Sequence, residues 1–220
     1  RRRSAFVGAR RGRADHQREG ARADLAGEID GSPLEEERAV GLWRLATGTA
    51  PITVTPLASA LLRAEPAEFH RQLALTLRAG EEVPFDAVVE HLRSVGYEHR
   101  EPVEMVGEFS VRGGILDVFS PETSRPVRIE FIGDQVESMR RFDVETQRSV
   151  VKTEECTLLP LLETPKSVSL LAELNDRMGR EHVPGMDETF PGWEFMAALV
   201  RPREYSLFEL AGRPLVLWDE

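Results

Sequence analysis

At 220 residues the chain has room for one large domain or two small ones, and 41% apolar with 30% charged residues is ordinary for a globular protein. No run approaches the ~18 apolar residues that a membrane span needs, and the single cysteine, Cys156, allows no internal disulfide, which fits a reducing cytoplasm. The formal charge is −10, yet residues 1–32 alone hold eight arginines against five acids, so residues 33–220 carry −13 and make a poor non-specific binder of nucleic acid.

Residues 1–32 show neither helical nor strand periodicity; Arg, Ala, Gly and Asp dominate, and a disordered or anomalous terminus is expected there ahead of a basic nucleic-acid-binding arm. No apolar stretch follows Arg1-Arg2-Arg3, so a secretory signal is not expected. The first residue is not Met, and Asp219-Glu220 follow an apolar run, so a fragment of a longer protein is expected.

From Pro33 the pattern becomes helical: Leu34, Ala39, Leu42, Trp43 and Leu45-Ala46 recur behind the capping-type stretch Ser32-Pro33-Leu34-Glu35. PITVTPLASALL (51–62) begins β-branched and turns to small residues. Residues 66–78 read as one helix closed by Ala79-Gly80, and VPFDAVVEHLRSVG as a second, with Val88, Val89, His91 and Leu92 inward and Gly96 as the stop. This alternation suggests the edge of an α/β domain. From Tyr97 the period switches to two. Strands are predicted over 97–102, 107–112, 115–120, 126–132, 135–142 and 147–153, joined by the turn signals Gly113-Gly114, 121–125, Gly133-Asp134 and 143–146. Beyond Pro160 the chain reads as loop-rich to about 192, followed by a helix-like stretch and RPLVLWDE. The fold class is therefore mixed α+β and α/β, with an antiparallel β-rich module.

In GEFSVRGGILDVFSP (107–121) an arginine and two glycines interrupt an alternating apolar run. If Gly113-Gly114 are the loop, Arg112 opposes Ile115, Val111 opposes Leu116, Ser110 opposes Asp117, Phe109 opposes Val118 and Glu108 opposes Phe119. One face is then Phe109, Val111, Leu116 and Val118, and must be core. The other holds Glu108, Ser110, Arg112, Ile115, Asp117 and Phe119, a mixture found in interface hot spots. Spacing alone favours the simpler outcome, in which Arg112 pairs with Asp117 or Glu108 and Phe119 is covered by a helix.

Catalytic signatures are missing. Histidines 16, 70, 91, 99 and 182 show no HExxH spacing, and with one cysteine they make no zinc set. There is no GxxxxGK[ST] and no Gly-Lys dipeptide, so the acidic end of LVLWDE has no phosphate-binding lysine to work with and reads as surface acids. No GxSxG or Ser/His/Asp arrangement can be placed. No catalytic residue, metal ligand or cofactor is expected in this chain.

GEFSVRGGILDVFSP, PVRIEFIGDQVESMRRFD and TQRS together resemble the N-terminal, UvrB-homologous region of the bacterial transcription-repair coupling factors, well over about 34–164 and weakly over 165–220. UvrB is the nearest competitor, sharing a GxFxVRGxxxxxF…IRxEFFGD pattern; it has a second arginine two residues before the shared one, where this chain has Ser110. The resemblance implies 33–80 and 156–220 as parts of a degenerate helicase-like domain, and 81–155 as an inserted, UvrA-interacting domain like the second domain of UvrB. It leaves 1–32 outside. It also implies a protein-interaction module that binds UvrA and recruits excision repair to stalled RNA polymerase. Arg112 is the matched interface residue; Phe119 and Glu108 join it by register. RNA polymerase, double-stranded DNA, ATP and Mg²⁺ would engage parts of the full-length protein beyond this segment. A UvrB-type, ATP-dependent damage-recognition helicase is the alternative.

Overall fold

The computed structural model describes residues 33–179, 190, 193–212 and 214–217. The expectations for residues 1–32, for Ser32 as a cap and for Asp219-Glu220 lie outside them.

Helix α1 (Pro33–Thr47) starts on a proline, whose missing N–H is no loss in a first turn, and carries Glu35 and Glu36 where the helix dipole favours acids. It ends at Gly48, whose φ of +69° takes the chain out of the helix. Ala39, Val40, Leu42 and Ala46 are buried. The β-branched run 51–56 forms no strand and leads into a single turn, α2 (Leu57–Ala60).

The long helix predicted over 66–78 is two elements. Helix α3 (Ala67–Gln72) stops after six residues, and Leu75–Arg78 is strand β1. The reason lies 80 residues away: β1 pairs antiparallel with β8 (Glu155–Leu158), Leu75 opposite Leu158 and Leu77 opposite Cys156. The Thr76 and Thr157 hydroxyls meet at 3.0 Å and Arg78 Nε donates to Glu155 at 2.8 Å. A hydrogen-bonded partner outweighs a helical periodicity that is worth only tenths of a kcal/mol per residue. Helix α4 (Phe85–Ser94) follows as predicted, with Val88, Val89 and Leu92 buried; His91 is half-buried, its Nε2 3.1 Å from the Leu73 carbonyl.

The period-two region builds a six-stranded sheet in chain order: β2 (Glu98–His99), β3 (Glu108–Arg112), β4 (Ile115–Val118), β5 (Val127–Ile132), β6 (Gln135–Phe142) and β7 (Ser149–Thr153). All neighbours are antiparallel except β2 with β3. Short turns dictate this meander, because two-residue loops can only reverse the chain. The first strand, expected over 97–102, shrinks to two residues. Apolar residues of one sheet face (Phe109, Leu116, Val118, Val127, Ile129, Met139) pack with α4, Leu77, Cys156, Leu158 and Leu161 into one core. That core reaches beyond the 81–155 boundaries expected for the inserted domain. Burial pushes the Cys156 thiol up to about 11, so it behaves as an apolar filler.

The stretch beyond Pro160, expected as loop to 192, contains α5 (Val168–Arg177), capped by Ser167, whose hydroxyl accepts from the Leu170 N–H. Leu170, Leu171 and Leu174 pack with Leu162, Trp193 and Ala197, the last two from α6 (Trp193–Met196) and the 3₁₀ turn after it. Helix α7 (Leu207–Leu210) brings Leu207 and Leu210 against Leu42 and Ala64, so the segments before and after the sheet share a core. Glu163 fastens this base: it takes Arg38 Nε at 2.6 Å and Arg203 Nη1 at 3.0 Å. No helix among the described residues is long and apolar enough to cross a membrane.

Candidate protein-interaction face

The hairpin β3–β4 has the register its sequence dictates: Phe109 opposite Val118, Ser110 opposite Asp117, Val111 opposite Leu116 and Arg112 opposite Ile115. Each glycine of the tip has its own reason. Gly113 adopts φ +60°, which β-carbon-bearing residues avoid. Gly114 is needed for clearance rather than handedness: a Cβ there would meet the Phe131 carbonyl oxygen at 2.5 Å, the same strand whose Phe131 N–H donates to Gly114 O at 2.7 Å. The tip is thereby bolted to β5.

Phe109, Leu116 and Val118 are fully buried and Val111 is half-buried against the same core, so this face is sealed as predicted. The opposite face is only partly as expected. Arg112 stands 46% exposed by side chain, but Ser110 and Asp117 are buried, and Phe119 is half-buried rather than exposed. The Glu108 carboxylate is occupied within the chain, its Oε2 accepting from the Glu104 and Met105 N–H groups at 2.7 and 2.8 Å. Glu108 therefore shapes the 104–105 turn, while Arg112 stands at the hairpin tip.

Asp117 is the hub. Its Oδ1 accepts from Arg128 Nε at 2.7 Å, and its Oδ2 from Arg128 Nη2 at 2.8 Å and Arg112 Nη2 at 2.7 Å. With a side chain only 2% exposed, this carboxylate must be compensated, and two guanidinium groups do so. The bonds to Asp117 raise the Arg128 guanidinium above its ordinary value and fix it as a cation. Arg128 also lies 4.6 Å over the Phe142 ring and donates to the Gln147 carbonyl at 3.3 Å. Gln147, in the TQRS stretch, is itself held in the left-handed region (φ +56°) by side-chain bonds to the Val103 and Val144 carbonyls. TQRS is thus a brace behind Arg128.

Register extends the face across the sheet. Asp117, Arg128 and Arg140 form one row; Ile115, Glu130 and Ser138 form the next, with Ser138 Oγ donating to Glu130 at 2.6 Å and Arg140 at 3.5 Å from it. Ile132, the last residue of β5 and next to the Phe131 that is bonded to the tip, is 67% exposed. Sequence reasoning missed Arg128, Glu130 and Ile132, although the alternation VRIEFI already separates them from Val127, Ile129 and Phe131. No group of His, Cys, Asp or Glu among the described residues could hold a metal ion.

Residues 75–163 match the protein family described as UvrB interaction domain. The matched stretch runs from β1, past β8, to Glu163, so the family unit includes the two-stranded sheet as well as the hairpin face. The chain is also similar to curated transcription-repair-coupling factors: 35% identical to that of Myxococcus xanthus over 71% of this chain, 39% to that of Staphylococcus aureus (strain USA300) over 56%, and 48% to that of Mycobacterium bovis over 39%. It spans 14%, 10% and 7% of the length of these relatives. The resemblance drawn from the hairpin motif agrees with both findings: residues 75–163 match the UvrB interaction domain, and the similar curated proteins are transcription-repair-coupling factors.

Proposed function

We propose that this chain is the UvrA-binding module of a transcription-repair coupling factor, recruiting nucleotide excision repair to stalled RNA polymerase. The single observation that carries the reading is the β3–β4 hairpin. One face is locked into the core, and the other presents Arg112 at a tip hydrogen-bonded to β5, on the same Asp117 carboxylate as Arg128. A solvent-facing arginine over buried, hydrogen-bonded neighbours is the make-up of an interface anchor. Domain assignments follow the same reading. Residues 33–80 and 156–220 are parts of a degenerate helicase-like domain that supports the inserted module, with no catalytic or cofactor role in this chain. ATP, Mg²⁺, double-stranded DNA and RNA polymerase engage other parts of the full-length protein, in the cytoplasm. Phe119 and Glu108 act by shaping the hairpin base, and Arg112 makes the contact.

The test is titration of UvrA with the chain and with Arg112→Ala. A loss of about thirtyfold, roughly 2 kcal/mol, is expected for removal of a central interface arginine. Unchanged affinity would move the docking face elsewhere.

A further inference from the structure

Away from the hairpin face, and sharing no residue with it, a cleft of about 350 Å³ lies between the end of α1 and the strands β6 and β8. Trp43, Arg44 and Thr49 line it from the α1 side, and Glu122, Arg141 and Thr157 from the other. Arg44 stands in the last turn of α1, 38% exposed by side chain, and donates Nη2 to Glu122 Oε2 at 2.6 Å. Arg141, near the end of β6, donates Nη1 to the Arg125 carbonyl at 3.1 Å and makes no ion pair among the described residues. The cleft therefore sets two permanent cations against one carboxylate, a positive surplus in a chain whose formal charge is −10. Its hydroxyls are already engaged: Thr49 with Thr47 at 2.9 Å, Thr123 with the Ser120 carbonyl at 2.7 Å and Thr157 with Thr76 at 3.0 Å. Recognition there falls to the guanidinium groups.

We propose that this cleft is a site for a small phosphate-bearing anion, held between Arg44 and Arg141 in competition with Glu122. A phosphate has oxygens enough for two guanidinium groups contributed by different segments, whereas a carboxylate is satisfied by one fork. The volume is that of a small-molecule site, and the acidity of the rest of the chain disfavours a polyanion such as DNA. Glu122 is the built-in rival: its backbone is held at φ +61°, in the left-handed region, with its carboxylate on Arg44. An arriving phosphate takes Arg44 from it and gains Arg141, which has no acid among the described residues to give up.

The experiment is calorimetric titration of inorganic phosphate into the 220-residue chain at fixed ionic strength, beside Arg141→Gln and Glu122→Gln, with thermal unfolding of each. Saturable binding is expected in the parent. Arg141→Gln should weaken it about tenfold or more, the worth of one charge-assisted partner. Glu122→Gln should tighten it about threefold, because the rival charge is gone. A general loss of folding would move both variants the same way, so the opposite shifts are specific to the site. If Arg141→Gln does not fold, Arg44→Gln carries the same expectation. No saturable heat in the parent, or parental affinity in the arginine variant, would overturn the site; weaker binding by Glu122→Gln would overturn the competition. A short DNA duplex is the second titrant, and its displacement of phosphate would overturn the assignment to a small anion. UvrA affinity of Arg141→Gln should stay parental, which separates this result from the reading of the hairpin as the docking face.

Discussion

Two carboxylates in this molecule are each shared by two arginines, and they do different work. Glu163 joins Arg38 from α1 to Arg203, ahead of α7, segments 165 residues apart in the chain; all three side chains lie between 12% and 26% exposed. Asp117 joins Arg112 and Arg128, neighbours on three consecutive strands, and one of its cations stands 46% in solvent. The chemistry is the same. What differs is chain separation and exposure: a carboxylate closing a long loop between part-buried cations is a clasp, whereas one inside a continuous sheet, with a cation left outside, is a mount. The comparison teaches that a salt bridge acquires its role from what its partners are attached to.

The clasp should yield the largest effect. Glu163→Ala leaves Arg38 and Arg203 part-buried without a counter-charge, and breaking such pairs typically destabilises by 3–5 kcal/mol when fully buried. About 3 kcal/mol is expected here in denaturant unfolding, with UvrA affinity of the folded fraction unchanged. A loss below about 1 kcal/mol would mean that the two sites are not different in kind.

His70 sits beside this clasp, fully buried, with neither ring nitrogen at hydrogen-bond geometry. Burial holds its pKa down to about 4; Glu163 is the next influence and pulls it up, against Arg203 and Arg38, which push it down. The unfolded chain binds that proton near pH 6.5, so the folded state's advantage is complete above 6.5 and is lost as pH falls towards 4. Roughly 3 kcal/mol should disappear across that window, partly offset by Glu65, whose carboxyl burial raises. Unfolding free energies at pH 7 and 4.5, compared with His70→Leu, check this; the variant should have a flatter pH profile.

On the mount, the two faces of the hairpin should separate cleanly. Val118→Ala empties part of a fully buried site and should lower stability by about 2 kcal/mol while sparing UvrA affinity once folding is accounted for. Arg112→Ala is the smallest perturbation of the fold, about 0.5–1 kcal/mol, because Arg128 still satisfies Asp117 bidentately; its effect belongs to binding. Equal stability losses in this pair would erase the distinction between sealed and presented faces.

How much of this was legible beforehand follows from range. The hairpin register was written in the sequence because Gly113-Gly114 fixes the turn and period-two alternation fixes the faces, both within twelve residues. The ends of β6 and the extent of α1 and α4 were local in the same sense. Leu75–Arg78 was misread as helix because the strand that captures it begins at Glu155, and no local pattern announces a partner 80 residues on. Within the loop-rich stretch beyond Pro160, α5 was not foreseen for a similar reason: it packs on Trp193 and Ala197, which lie more than fifteen residues further along the chain.

Arg112 could be singled out from its position between an apolar alternation and two glycines. That Asp117 is buried, that Arg128 shares it, and that Glu108 is spent on its own turn became visible only when β5 and the 101–106 loop were in place. Short-range pairing and alternation are encoded residue by residue, so the sequence alone determined the hairpin, its sealed face and its arginine tip. Burial and the sharing of a charge depend on groups from distant segments meeting in space; only the tertiary structure decided which arginine is braced, which stands exposed, and which carboxylate holds the base together.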